Sequence, residues 1–145
     1  MQAYEPLPAL PNVRSFVKQV KAFHLFVSGM AARNPPRDGS VAHRQADLAD
    51  AGLAIALGKC LATIAYAQLV AENCVAAEIE PAIVSVFFHS LIEDLSAEAL
   101  KLSALYLPGG AQRDQLRDMV RVPQTDAENV QAVAEFMAAR YRVAK

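Results

Sequence analysis

The sequence predicts an all-α protein: an antiparallel up-and-down helical bundle of three long helices plus one or two shorter C-terminal helices. Alanine is abundant, only six glycines occur, and β-branched residues do not alternate with polar ones, so helix is favoured over sheet. Apolar residues instead recur at alternating steps of three and four, which is the spacing of a buried helical stripe. Segments rich in proline and glycine separate these stripes and predict where each helix ends.

Composition limits the class of protein. A chain of 145 residues with 54% apolar residues fits one domain with a real core, and excludes a disordered chain. Its net charge of −1 gives no general attraction to nucleic acid, and we expect no nucleic-acid partner. Cys60 and Cys74 lie on one predicted helix, roughly 21 Å apart, too far to form a disulfide. With no secretory signal at the N-terminus, these features predict a cytoplasmic protein.

Residues 1–11 are predicted to be a proline-rich linker, and residues 12–145 a single helical bundle domain. Pro6, Pro8 and Pro11 fall within six residues, which stiffens the backbone in extended conformations and blocks helix formation. Such a segment is typical of the connection between two domains. We therefore expect this chain to be part of a longer polypeptide.

The first helix is predicted over residues 12–33. Its core stripe is Val13, Phe16, Val20, Phe23, Val27 and Met30. The opposite side carries Arg14, Lys18 and Lys21, a possible docking face for an anionic membrane or an acidic partner. A solvated outer surface explains the same three residues, and the sequence leaves both interpretations open.

The second helix is predicted over residues 41–77 and includes an unusual stretch, residues 51–71, in which Lys59 is the one charged residue. A helix that is apolar nearly all round needs cover on most sides, so we expect it to be the central helix of the bundle. Its predicted core residues are Leu53, Ile55, Leu57, Leu61 and Ile64. The length also fits a membrane span, but Lys59 at its middle would cost about 2.5–3.5 kcal/mol. The alanine and glycine content favours close helix packing in a bundle instead.

The third helix is predicted over residues 80–106, with Pro81 in its first turn and a short connection that places it antiparallel to the second helix. Its core stripe is Val84, Phe88, Leu91, Leu95, Leu102 and Leu105. A short helix follows over residues 112–120, with Leu116, Met119 and Val120 facing inward. Thr125 and Glu128 then predict a capping box that opens a last helix. This helix runs to Tyr141 and docks on the bundle or on a partner through Val130, Val133, Ala134, Met137 and Tyr141.

The search for chemistry in the sequence predicts no catalytic residue and no metal site. His43 with Asp47, and His89 with Glu93, place imidazole and carboxylate one helical turn apart, but the Glu-x-x-His pattern of helical di-iron sites is missing. Cys60 and Cys74 lie in apolar helix without a catalytic partner, and we expect both in the core. Gly109 and the glycine after it lack the spacing of a phosphate-binding loop.

The segment Gln45-Ala46-Asp47-Leu48-Ala49-Asp50-Ala51 opens a long alanine-rich helix, after a first helix and a proline-rich loop. This arrangement resembles the helical domain appended after the catalytic core of very-long-chain-type acyl-CoA dehydrogenases and their bacterial relatives. The resemblance covers residues 10–122 and includes the segment 113–121. The family's catalytic glutamate and glycine motifs do not match here, so no catalytic or flavin-binding residue is transferred.

The resemblance implies a parent flavoprotein that oxidises acyl-CoA with FAD, while this chain itself holds no cofactor. Its implied partners are the catalytic core of the same polypeptide, a homodimer partner and, peripherally, a membrane. Two alternatives remain open. In the first, the chain is a free-standing helical adaptor that binds a partner through its first or last helix. In the second, it is an enzyme or a cofactor carrier in its own right.

Overall fold

The computed structural model describes residues 7, 10–33, 43–106 and 110–142, with side chains placed at 7, 10–30, 51–106 and 110–140. Across these ranges the protein is all-helical and has no strand, which confirms the predicted all-α class. The helices are α1 (Pro11–Arg33), α2 (His43–Ala76), α3 (Pro81–Leu105), α4 (Gly110–Met119) and α5 (Ala127–Arg142). Each lies within a few residues of its predicted bounds.

The centre of the structure is α3, which packs against all four other helices. Its apolar residues recur around most of its circumference, and they include Val84, Phe88, Ile92 and Leu95, all fully buried. The α1 helix adds a ridge of buried phenylalanines against it. Phe16 meets Phe88 edge-on with ring centroids 5.5 Å apart, a geometry that favours aromatic pairs. The core is therefore built between α1, α3 and α4 rather than around α2.

Two buried amides on α1 connect three parts of the chain. Asn12 donates to the backbone carbonyl of Ser85 at 3.1 Å and to that of Gln124 at 3.0 Å, and accepts from the Gln124 N–H at 2.8 Å. Gln19 donates to the carbonyl of Met119 at 2.6 Å and to the Ser96 hydroxyl at 2.9 Å. These bonds fix the extended segment 120–126 against α1 and α3.

The α2 helix packs almost entirely on α3, through a stripe of small buried residues. The stripe consists of Ala56, Cys60, Ala67, Ala71 and Cys74. At one end of this contact Gly52 lies beside the Leu105 side chain. At the other, α2 ends in a Schellman motif: Ile79 N–H donates to the Cys74 carbonyl at 2.9 Å, and Glu78 takes a left-handed φ of 50°.

The prediction that α2 is the central, covered helix is wrong. Ile55 and Leu61, predicted as core, are exposed, whereas Leu53, Leu57 and Ile64 are partly buried against the core. The reason is the number of neighbours: α2 has one packing partner among the described residues, and one helix covers only one stripe of another. The central position belongs to α3.

The structure also differs from the predictions in the placement of several single side chains. Val27 is exposed and its neighbour Phe26 is buried against Tyr106 instead, while Leu105 and Val120 are exposed. The predicted Thr125 capping box is absent, because Asp126 caps α5 by accepting from the Glu128 N–H at 3.0 Å. Within the predicted linker, Leu7 and Leu10 pack against the core. The rest of that linker before Leu10, and the Tyr141 side chain, lie outside the described residues.

Candidate interaction surface

In the described part of the chain, one side of α2 is an extended uncovered apolar surface, which we call the outer face of α2. At 100° per residue its members point away from the small-residue stripe that packs on α3. It consists of nine exposed, uncharged residues: Ala51, Ala54, Ile55, Gly58, Leu61, Ala62, Ala65, Tyr66 and Leu69. The outer face therefore runs for five helical turns without a charge.

Four large side chains dominate this face. Ile55 is 61% exposed, Leu61 55%, Tyr66 54% and Leu69 57%. Together they present roughly 500 Å² of surface, near the upper end of what a soluble monomer leaves in one apolar patch. Gly58, near the middle, has nothing within 4 Å of the position a Cβ would take, so the centre of the face is open.

The same helix is long and apolar enough to cross a membrane over Ala51–Ala76. Core helices of soluble proteins also meet this criterion, but they are mostly buried. Of the most apolar 18-residue stretch of α2, 17% is buried. The helix thus differs from an ordinary core helix in how little of it the rest of the described chain covers.

Charged residues lie at the edge of α2, in the groove where it meets α3. Lys59 and Lys101 line this groove on either side of Glu98, whose side chain is mostly buried. Lys101 Nζ lies 2.6 Å from Glu98 Oε1, while the buried Oε2 has no hydrogen-bond partner.

Burial, and next the nearby Glu98 carboxylate, raise the pKa of the Cys60 thiol to about 12. Cys60 is therefore a neutral core thiol at physiological pH, as predicted from its apolar surroundings.

The three basic residues of the predicted docking face on α1 form a continuous exposed stripe. Arg14, Lys18 and Lys21 are all exposed, one turn apart along the side of α1 that faces away from the core. Leu25, 60% exposed, extends the stripe by one more turn. This stripe and the outer face of α2 are carried by different helices that touch little.

The structure describes the side chains of one of the two predicted histidine–carboxylate pairs. His89 Nε2 lies 3.5 Å from Glu93 Oε1, one turn away on α3. It also lines a pocket at the start of α5 with Asn12, Thr125 and Asp126. Over the described residues no group of three or more His, Cys, Asp or Glu side chains could hold a metal ion. The side chains of the other predicted pair, His43 and Asp47, lie outside the described residues.

The aromatic run before His89 is divided by the helix. Phe88 is fully buried in the core. Phe87 is partly exposed and lines a shallow apolar pocket together with Phe136 and Met137 of α5. His89 is half-buried between them and solvent. The run therefore serves packing on two sides of α3.

Tyr66 and Leu69 are the two large residues of the outer face of α2 that the sequence analysis did not single out. The stretch 51–71 is apolar all round, so hydropathy alone does not distinguish the packed side from the open side. The residue sizes carry the missing signal, because small residues recur on one side, where α3 approaches closely. No family model, no curated protein and no solved structure matches this chain.

Proposed function

We propose that this chain is a non-catalytic helical docking domain, whose outer face of α2 is covered by another protein surface in the functional assembly. The observation that carries this proposal is the exposure of Ile55, Leu61, Tyr66 and Leu69 on one uncharged face. Exposed contiguous apolar surface is unfavourable in water at about 25 cal/mol per Å². Patches of this size mark interaction sites more often than plain surface.

The finer architecture that we propose is an up-and-down arrangement of the three long helices. Two contacts support it. Gly52, near the start of α2, lies beside Leu105 at the end of α3, while Asn12, near the start of α1, bonds Ser85 near the start of α3. In this arrangement α2 is an outer helix, which leaves its second side free for a partner.

The proposed setting is an acyl-CoA dehydrogenase-like polypeptide, in which this domain docks on the FAD-containing catalytic core or on the dimer partner. The order of α1, loop, α2, α3 and α4 after a proline-rich segment supports this setting, since it is the order in the domain that the chain resembles. A free-standing adaptor remains the alternative. The coding sequence upstream of Met1 separates them, because only the first predicts a flavoprotein core there.

The docking proposal is tested by hydroxyl-radical footprinting of Tyr66, Leu61 and Leu69, read by mass spectrometry. In purified protein at sub-micromolar concentration, we expect all three side chains to be oxidised readily. In cells that express the protein naturally, we expect at least fivefold protection of the same three side chains. Leu100 on α3, 58% exposed, is the internal control and should keep its reactivity.

If Tyr66 were oxidised equally in cells and in dilute purified protein, as the control Leu100 is expected to be, the proposal would be contradicted. It would mean that the outer face of α2 stays in contact with water where the protein works.

A further inference from the structure

The contact between α2 and α3 is made mostly by small side chains of α2. Over residues 51–76, each buried residue of α2 is an alanine or a cysteine, and the larger Leu57 and Ile64 beside them are only partly buried. The buried residues of α1, by contrast, include three phenylalanines at positions 16, 23 and 26. Since apolar stabilisation scales with the area removed from water, α2 is held on the bundle less strongly than α1.

Hydrogen bonds do not strengthen the contact between α2 and α3. The two buried amides of α1 bond to α3 and to the segment that follows α4. The side-chain bonds of α2 over residues 51–76 stay within α2: Gln68 donates to Glu72 at 2.8 Å, and Asn73 donates to the Leu69 carbonyl at 2.8 Å. Among the described side chains, the attachment of α2 to α3 therefore rests on apolar packing.

A buried carboxylate at this contact favours its separation. Glu98 on α3, 8% exposed, lines the groove together with Ala56 and Lys59 of α2. Lys101 pairs with Oε1 of Glu98, whereas Oε2 is buried and accepts no hydrogen bond from the described chain. A buried carboxylate oxygen without a donor is costly, and the cost is relieved when α2 moves away and water reaches it.

The α2 helix is suited to move as one body. It is 34 residues long and rich in alanine, so its backbone bonds persist better than those of a short helix when a neighbour is lost. The turn over residues 77–80 connects it to α3, and Glu78 there holds a left-handed φ of 50°. A rotation about this short turn separates the two helices without breaking either one.

We propose that α2 is a detachable helix. It leaves α3 as a unit about the turn at residues 77–80, while α1, α3, α4 and the segment 120–126 stay folded. The open form offers both sides of α2 to a partner, which explains a helix that is apolar nearly all round yet covered on one side. This inference goes beyond the proposed function, which concerns only the outer face of α2 in the closed form.

The two native cysteines report the opening. Cys60 and Cys74 lie on the packed side of α2 and are buried, so an alkylating reagent reaches both only when this side leaves α3. The native protein is treated with N-ethylmaleimide at neutral pH, and each cysteine is quantified by mass spectrometry. We expect both thiols to react together, at least about 100-fold faster than global unfolding allows, with no loss of helix by circular dichroism.

The reference for global unfolding is a thiol placed on α1. Val20→Cys, in a chain with Cys60→Ala and Cys74→Ala, puts a thiol of similar volume at a site that is 2% exposed and packed in the core. It should react only when the whole protein unfolds. Urea unfolding of each protein gives its global unfolding rate, so that the labelling rates are compared relative to that rate.

Glu98→Met tests the role of the buried carboxylate. An apolar side chain of similar length removes the unpaired oxygen from the contact, so we expect Cys60 to react about tenfold more slowly. Glu93→Met is the matched control on the same helix. The Glu93 side chain is 61% exposed, and its replacement should leave the reaction of Cys60 unchanged.

If Cys60 reacted no faster than the Val20→Cys thiol, the proposal would be overturned, because α2 would then open only with the rest of the protein. Reaction of Cys74 alone would also overturn it, since this would show fraying beside the turn. Equal or faster reaction of Cys60 in Glu98→Met would refute the cause assigned to Glu98. The docking function is judged separately, by the protection of Tyr66 in cells.

Discussion

The strongest structural prediction concerns Asn12, whose buried amide holds the segment between α4 and α5. Asn12→Ala removes the bond to the Gln124 carbonyl, the bond from the Gln124 N–H and two contacts to Ser85. At about 1 kcal/mol for each bond to Gln124, plus a small cavity at a site that is 2% exposed, the loss is about 2–3 kcal/mol. We expect the melting temperature to fall by roughly 5–10 °C.

The loss of stability in Asn12→Ala should be accompanied by a local change in hydrogen exchange in the segment 120–126. The Gln124 N–H has Asn12 as its acceptor, so its hydrogen exchange should accelerate at least tenfold in Asn12→Ala. The amides in the middle of α3 should keep most of their protection. The measurements are thermal unfolding by circular dichroism and hydrogen exchange resolved at residues 120–126.

Asn73→Ala is the matched control for this substitution. Asn73 is exposed, and its side chain bonds only the Leu69 carbonyl one turn away. The control should change stability by less than about 0.5 kcal/mol. If Asn12→Ala stayed within the same limit, or if Gln124 exchanged at an unchanged rate, the argument that this amide fixes the segment would be refuted.

Two further predictions follow from the core. Phe88→Ala should lower the free energy of unfolding by about 3–5 kcal/mol, whereas the neighbouring Phe87→Ala should cost about 1 kcal/mol or less, since Phe88 is fully buried and Phe87 is partly exposed. Urea unfolding measures both, and equal losses would contradict the placement of α3. The folded protein binds the Cys60 thiol proton more tightly than the unfolded chain, because the folded pKa is raised from 9.0 to about 12. This contribution is complete below pH 9 and is lost as the pH rises toward 12, at about 1 kcal/mol between pH 9 and 10. Cys60→Ala should show a correspondingly shallower alkaline decline in urea unfolding, and identical declines would refute the burial of this thiol.

Helix existence and approximate bounds were predictable because they depend on local patterns. The step of three and four from Val13 to Phe23 identifies α1, and the proline at position 81 marks the start of α3. The buried face of α1 was predictable to Phe23 but failed one turn later, where Phe26 replaces Val27. Both are apolar and adjacent, and the choice between them depends on Tyr106, a residue distant in sequence.

The candidate site was only partly predictable. Arg14, Lys18 and Lys21 share an exposed side because helical spacing alone places them there. The outer face of α2 was missed because Ile55 and Leu61 belong to a stretch that is apolar on every side. In such a stretch periodicity carries no direction, and the packed side is chosen by the neighbouring helix.

By itself, the sequence determined that this protein is helical, where its helices begin and end to within a few residues, and that α2 carries an unusually uncharged stretch. Only the tertiary structure decided which helix is central and which side of α2 stays open. The physical reason is that a helix forms through local backbone bonds, whereas burial depends on how many neighbours compete for a surface. Among the described helices, α3 packs against four others and α2 against one, so the nearly uncharged stretch of α2 presents its outer face to solvent.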